Sequence, residues 1–148
     1  LSMVDEIQPS DRLEEFTYIA ETEGVVVQVE PMYLEDAPED EDLEGNHLWA
    51  YCVRIQNRTE QTMQLRARYW RVLDSLGTVS EMHGAGVVGE QPVIHPNELY
   101  EYDSLIALET SSGFMGGYYD MQLADGTKLQ ITIPTFTLDR PGEIHSLN

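Results

Sequence analysis

Along most of the chain apolar and polar residues alternate with a period of two, and an apolar stripe at helical spacing is nearly absent. In Leu48–Asn57 the residues Tyr51, Val53 and Ile55 fall on one face and Cys52, Arg54 and Gln56 on the other, the pattern of a half-buried strand. A run of β-branched residues from Gly24 to Glu30 starts the first strand. Between Gln64 and Asp74, Arg66 and Arg68 share a parity with the apolar Trp70 and Val72, which predicts either a bulge or a strand whose two ends bury opposite faces. Further strands are predicted at Val79–His83, Glu98–Leu108, Gly117–Leu123 and Lys128–Leu138, with turns at Asp74–Gly77 and at the Asp125-Gly126 pair.

Seven short strands with frequent turn signals predict an all-β fold, an antiparallel β-sandwich of immunoglobulin or fibronectin type III kind. It occupies residues 23–138 as a single domain. Residues 1–22 read as an N-terminal arm, with one helical turn after Pro9-Ser10 because Ser10 can cap it and Asp11, Glu14 and Glu15 suit a helix start. Residues 139–148 read as a C-terminal tail. Met3 stands as a candidate natural start, so Leu1 and Ser2 carry no weight. The segment 35–44 holds seven acidic residues in ten positions, too charged for a sheet, and is expected to be an exposed loop.

Composition narrows the function classes. The 148 residues include 27 acidic and 8 basic ones, a formal charge of −19 that repels the phosphate backbone on which nucleic-acid affinity rests. Nucleic acid is therefore excluded as a general partner, whereas basic surfaces and cations are attracted. The single Cys52 leaves no intramolecular disulfide. The longest apolar run, Leu48–Val53, is far short of the roughly 20 residues that span a bilayer. No membrane segment or secretory signal is expected, and the expected compartment is the cytoplasm.

The stretch His83–Pro92 contains a G-x-G-x-x-G spacing at Gly84, Gly86 and Gly89. In dinucleotide folds such a turn leads into a helix whose N-terminus meets the pyrophosphate. Here Pro92 and Pro96 with β-branched residues between them rule that helix out. What remains is a loop whose backbone N–H groups form an anion nest, or glycines that serve a tight turn and close packing. Arg54, Arg58, Arg66, Arg68 and Arg71 are five of the eight basic residues and lie on or beside two consecutive predicted strands. If those strands were neighbours, Arg54, Arg66 and Arg68 would form a basic stripe; the alternative is pairing with acidic residues across the sheet. The acidic loop lacks the glycine and spacing of a calcium site, so any divalent cation would be held weakly. The histidines at 47, 83, 95 and 145 have no ligand spacing, although His83 and His95 flank the glycine segment. Cys52 in mid-strand reads as a packed thiol.

Taken with Arg68-Tyr69-Trp70-Arg71-Val72, the glycine segment 84–92, Gly113–Tyr119 and Ile133–Leu138, the strand Tyr51–Asn57 makes the chain resemble the ApaG family over about residues 23–138. Asn97 and Leu105 stand where that family commonly has glycine. The resemblance implies a fibronectin type III-like sandwich. It also implies a non-catalytic binding module linked by its genetic name to cobalt and magnesium efflux or resistance. No cofactor and no enzymatic activity carry over. The functional expectation is thus a protein partner recognised by the glycine loop and the neighbouring Gly113–Tyr118 segment, with Gly84, Gly86, Gly89, Gln91, Arg66 and Arg68 as ligand-binding residues. Nucleotide or pyrophosphate binding at the same loop is the first alternative and weak divalent-cation binding the second. An exposed edge strand would also offer a route to a homodimer.

Overall fold

A computed structural model of the chain describes residues 3–6, 16–34 and 47–141, with backbone alone for 3, 5 and 6. The helical turn expected after Pro9-Ser10, the acidic loop 35–44 and the tail beyond residue 141 lie outside them. The described residues form ten strands: β1 (Met3–Glu6), β2 (Tyr18–Thr22), β3 (Val25–Tyr33), β4 (His47–Asn57), β5 (Met63–Asp74), β6 (Val79–Ala85), β7 (Val93–Ile94), β8 (Glu98–Leu108), β9 (Ser112–Leu123) and β10 (Lys128–Asp139). The seven predicted strands are β3 to β6 and β8 to β10. The additions are the two-residue β7 and the strands β1 and β2, which arise within the stretch read as an arm.

The strands form an antiparallel β-sandwich, with sheet order β1-β8-β4-β3-β2 on one side and β10-β9-β5-β6 on the other, β7 attaching to β5. Each face of the interior follows from the alternation. Tyr51, Val53 and Ile55 of β4 are buried, and so are Val25, Val27 and Val29 of β3 beside them. From the second sheet Leu65, Trp70, Met115, Tyr119, Ile131 and Phe136 pack against these residues. Phe136 lies at the centre, its ring 5.9 Å from Tyr51, 6.0 Å from Trp70 and 6.0 Å from Tyr18, so it joins both sheets.

The parity conflict in β5 is resolved by a bulge. Pairing with β9 slips by one residue between Leu65 and Ala67, so Met63 and Leu65 face the core before it and Trp70 and Val72 after it. Arg66 is the extra residue and stays exposed, whereas Arg68 shares the inward face of Trp70. β10 uses the same device between Ile133 and Phe136, where Pro134 interrupts the ladder. Gln56, expected on the outer face, is fully buried and donates to Gln28 of β3. Asn97 takes the left-handed conformation with φ 64°, a geometry that Asn tolerates better than other non-glycine residues.

Candidate functional site

The hairpin-like loop after β6 is built from its own backbone. Val87 and Glu90 exchange N–H···O hydrogen bonds of 2.8 Å in both directions, and between them Val88 (φ 43°) and Gly89 (φ 80°) take the paired positive φ values of a type I′ turn. Gly86 donates its N–H to the Arg66 carbonyl at 2.9 Å, and a Cβ there would overlap the Glu90 carbonyl oxygen. The N–H groups of Gly86, Val87 and Glu90 are therefore already committed within the protein. The glycines shape a closed turn rather than an open ring of donors.

Arg68 gives this loop its chemistry. Its side chain runs along the inner face of the second sheet, and Nη1 donates to the carbonyls of Ala85 (3.0 Å) and Gly86 (2.9 Å). It passes directly over Gly84, where a Cβ would stand 2.7 Å from the guanidinium carbon, so the absent side chain is what admits it. Among the described residues no carboxylate lies within ion-pair distance of Arg68. The guanidinium borders a cavity of about 280 Å³ walled by Tyr51, Tyr102, Ser104 and the turn Val87–Gly89. Burial raises the pKa of the Tyr51 hydroxyl, and a hydrogen bond to Ser104 and the Arg68 charge pull it back. Tyr102, one of the walls, is hydrogen-bonded to the buried Tyr119, and burial raises the pKa of both hydroxyls. The cavity thus offers one fixed positive charge and neutral hydroxyls, a set suited to holding an anion.

The other sequence-predicted residues disperse. Gly89 borders the cavity, but Arg66 points outward and bonds to Gln64 (3.1 Å), and Gln91 is exposed and offers its carbonyl to the Gln64 side chain (2.9 Å). The basic stripe of Arg54, Arg66 and Arg68 does not form, because β4 and β5 belong to opposite sheets. Arg54 instead pairs with Glu101 at 2.8 Å, the cross-strand pairing considered as its alternative. The segment Gly113–Tyr118 does not share the Arg68 cavity. Its glycines 116 and 117 line a separate cavity of about 370 Å³ with Tyr69, Arg71 and Phe114. There Tyr69 stacks on Tyr118 at 4.8 Å and meets His83 at 4.8 Å. His95 bonds to Thr62 rather than joining His83. Among the described residues no group of three or more His, Cys, Asp or Glu side chains converges as a metal site would require, and no helix is long and apolar enough to cross a membrane.

Sequence reasoning missed Tyr51, Tyr102 and Ser104 as cavity walls, because they lie on β4 and β8, distant in sequence from the loop they face. The parity conflict in β5 is the signal that could have separated Arg68 from Arg66, which the sequence reading kept together. Cys52 is held as the thiol: burial first, then the Glu101 and Asp103 carboxylates, push its pKa far above the usual range. A raised pKa keeps the protonated, unreactive form at neutral pH. Alkylation of Cys52 by iodoacetamide at pH 8 is expected to be at least tenfold slower in the folded protein than in denaturant, whereas equal rates would show an accessible thiolate.

The chain is similar to known proteins over most of its length. A family model described as the ApaG domain matches residues 37–123. The protein ApaG of Brucella canis is 47% identical over 131 residues, covering 88% of this chain and 99% of that protein. The corresponding Brucella anthropi protein is 45% identical over the same shares. The crystal structure of the putative ApaA protein from Bordetella pertussis superposes with a TM-score of 0.73 at 31% identity, covering 86% of this chain and 99% of that one.

Proposed function

Since the chain belongs to the ApaG family, we propose that it is a non-catalytic interaction module that recognises a carboxylate-bearing protein partner in the cleft beneath the 84–90 loop. The observation that carries this reading is Arg68, a cation held by two backbone carbonyls, facing a cavity and lacking a carboxylate partner among the described residues of a protein with net charge −19. Arg58 and Arg66 likewise meet no carboxylate among the described residues and bond to Gln56 and Gln64, whereas Arg68 turns to the cavity on the inner face. An arginine left facing a cavity is a recognition group in waiting. Long-range repulsion of an acidic ligand decays within a Debye length of about 8 Å at physiological salt, while a partly buried charge is screened much less. Pyrophosphate binding draws on the same guanidinium as the second reading. Against it stand the three loop N–H groups already in use and the net charge, which opposes a ligand of several negative charges.

Residue-resolved NMR separates the two. The amides are followed during titration with an acetyl- and amide-capped peptide carrying one glutamate, then with pyrophosphate and with ATP, each with and without magnesium or cobalt. Saturable shifts at Ser104, Leu105 and Val87–Gly89 with the peptide, and weaker ones with pyrophosphate, are the expected result. Saturation by pyrophosphate or ATP alone would replace the protein-partner reading with the nucleotide one.

A further inference from the structure

The strand β6 is an edge whose register reveals which of its backbone groups are free. It pairs with β5 from Leu73↔Val79 to Ala67↔Ala85 without a register shift. The hydrogen bonds just beyond each end fix the phase: Gly86 N donates to Arg66 O at 2.9 Å, and Asp74 N donates to Thr78 O at 3.0 Å. In an antiparallel ladder hydrogen-bonded pairs alternate with non-bonded ones. Both ends therefore assign Ser80, Met82 and Gly84 to the bonded pairs. The N–H and C=O groups of Val79, Glu81 and His83 then point away from the sheet, where among the described residues no other strand of the second sheet follows. At Ala85 this open row stops, because Arg68 bends round the edge and takes the Ala85 carbonyl.

Native sheets usually blunt such an edge with Pro, Lys, a bulge or an added cover. None of the first three is present in Val79–Ala85, and its one charged residue, Glu81, is drawn onto the sheet by the Tyr69 hydroxyl at 2.7 Å. Every residue from Val79 to His83 is exposed. The inner side of this same edge opens on the Arg68 cavity, which Met82 helps to wall.

We propose that β6 is the docking edge: an extended segment of a partner protein adds to it as a further strand, bonding to Val79, Glu81 and His83 and directing one acidic side chain over Gly84 to Arg68. Strand addition supplies affinity through the main chain, while a pocket reached by alternate side chains supplies selectivity. The missing side chain at Gly84 lets the guanidinium lie against the β6 backbone, on the edge to which the segment would add. A second copy of this chain fits less well, since two molecules of −19 would meet edge to edge. The proposal rests on the cleft reading above and adds the mode of binding and the class of partner segment.

The test uses the full chain and the capped peptide Thr-Val-Thr-Glu-Thr-Val-Thr, with versions carrying Gln or Lys in place of Glu. Saturating peptide is expected to slow amide exchange at Val79, Glu81 and His83 at least tenfold while leaving β8 beyond Glu101, the stretch that β1 does not pair with, unchanged. Glu81→Pro removes an outward N–H and the carboxylate that Tyr69 holds but no ladder bond to β5, so it is expected to keep the fold and weaken binding at least tenfold. Ser80→Pro removes a ladder bond to β5 and is expected to lower the melting temperature instead. Should Glu81→Pro fail to fold, Val79→Pro repeats the test at the next outward position. Peptide binding that depends on Arg68 but survives both proline variants would overturn strand addition and leave the cleft reading intact. Protection of the β6 amides with equal affinity for the Glu, Gln and Lys peptides would keep the docking edge and remove the acidic contact. No saturable binding of any peptide at millimolar concentration, or protection at β8 instead, would overturn the proposal. A dimer of the free protein abolished by Glu81→Pro would assign the edge to a second copy.

Discussion

Gly117→Ala is expected to destabilise the protein by about 3 kcal/mol or more, lowering the melting temperature by on the order of 10 °C. A Cβ at this position would overlap the Tyr69 carbonyl oxygen and stand 3.1 Å from the Trp70 Cα, both on the neighbouring strand β5. Backbone of a central strand cannot step aside as a flexible side-chain end can, so relief requires β9 and β5 to separate along their shared ladder. Gly126 provides the contrast. It lies at φ 90° in an open turn where a Cβ would meet nothing within 4 Å, so alanine there costs only the unfavourable dihedral, about 1 kcal/mol. Denaturant melts of both variants check the difference, and equal losses would mean that the close approach at Gly117 is not what constrains it.

The second large effect is at Phe136. Replacing it with alanine is expected to cost about 3–5 kcal/mol, the range for emptying a fully buried aromatic site. Its ring meets Tyr51 on the first sheet and Trp70 on the second, and their edge and tilted packing contributes beyond area alone. Phe136→Leu should recover more than half of that loss, because most of the volume returns. A loss below about 1.5 kcal/mol for the alanine variant would indicate that the sheets close over the space, contrary to the interlocked core.

The particular residues show why the fold was more legible than the site. Alternation in Leu48–Asn57 and the Asp125-Gly126 pair are local signals, and the strands and turn they predict stand at His47–Asn57 and Ala124–Thr127. The conflict of Arg66 and Arg68 with Trp70 and Val72 was likewise local, and the bulge resolves it. Tyr18–Thr22 escaped notice because its alternation covers five residues with a half-exposed pattern, and its strand state depends on pairing with β3. The Arg54, Arg66 and Arg68 stripe does not form for a non-local reason: it required the consecutive strands β4 and β5 to be neighbours, but the chain crosses between sheets there. The same crossing brings Tyr51 and Tyr102 opposite Arg68, an arrangement that no spacing along the chain displays. The grouping of Gly113–Tyr118 with the glycine loop failed because β9 presents Gly116 and Gly117 to a different cavity.

Arg68 is set apart from Arg66 of the same strand by facing the cleft, where Arg66 points outward. Calorimetry of the glutamate peptide with the unaltered protein, Arg68→Gln and Arg66→Gln measures this directly. A charge-assisted hydrogen bond contributes roughly 1.5–3 kcal/mol, so Arg68→Gln should weaken the peptide at least tenfold while Arg66→Gln changes it less than twofold. Equal weakening by both variants, or by neither, would contradict the assignment of the cleft as the recognition site.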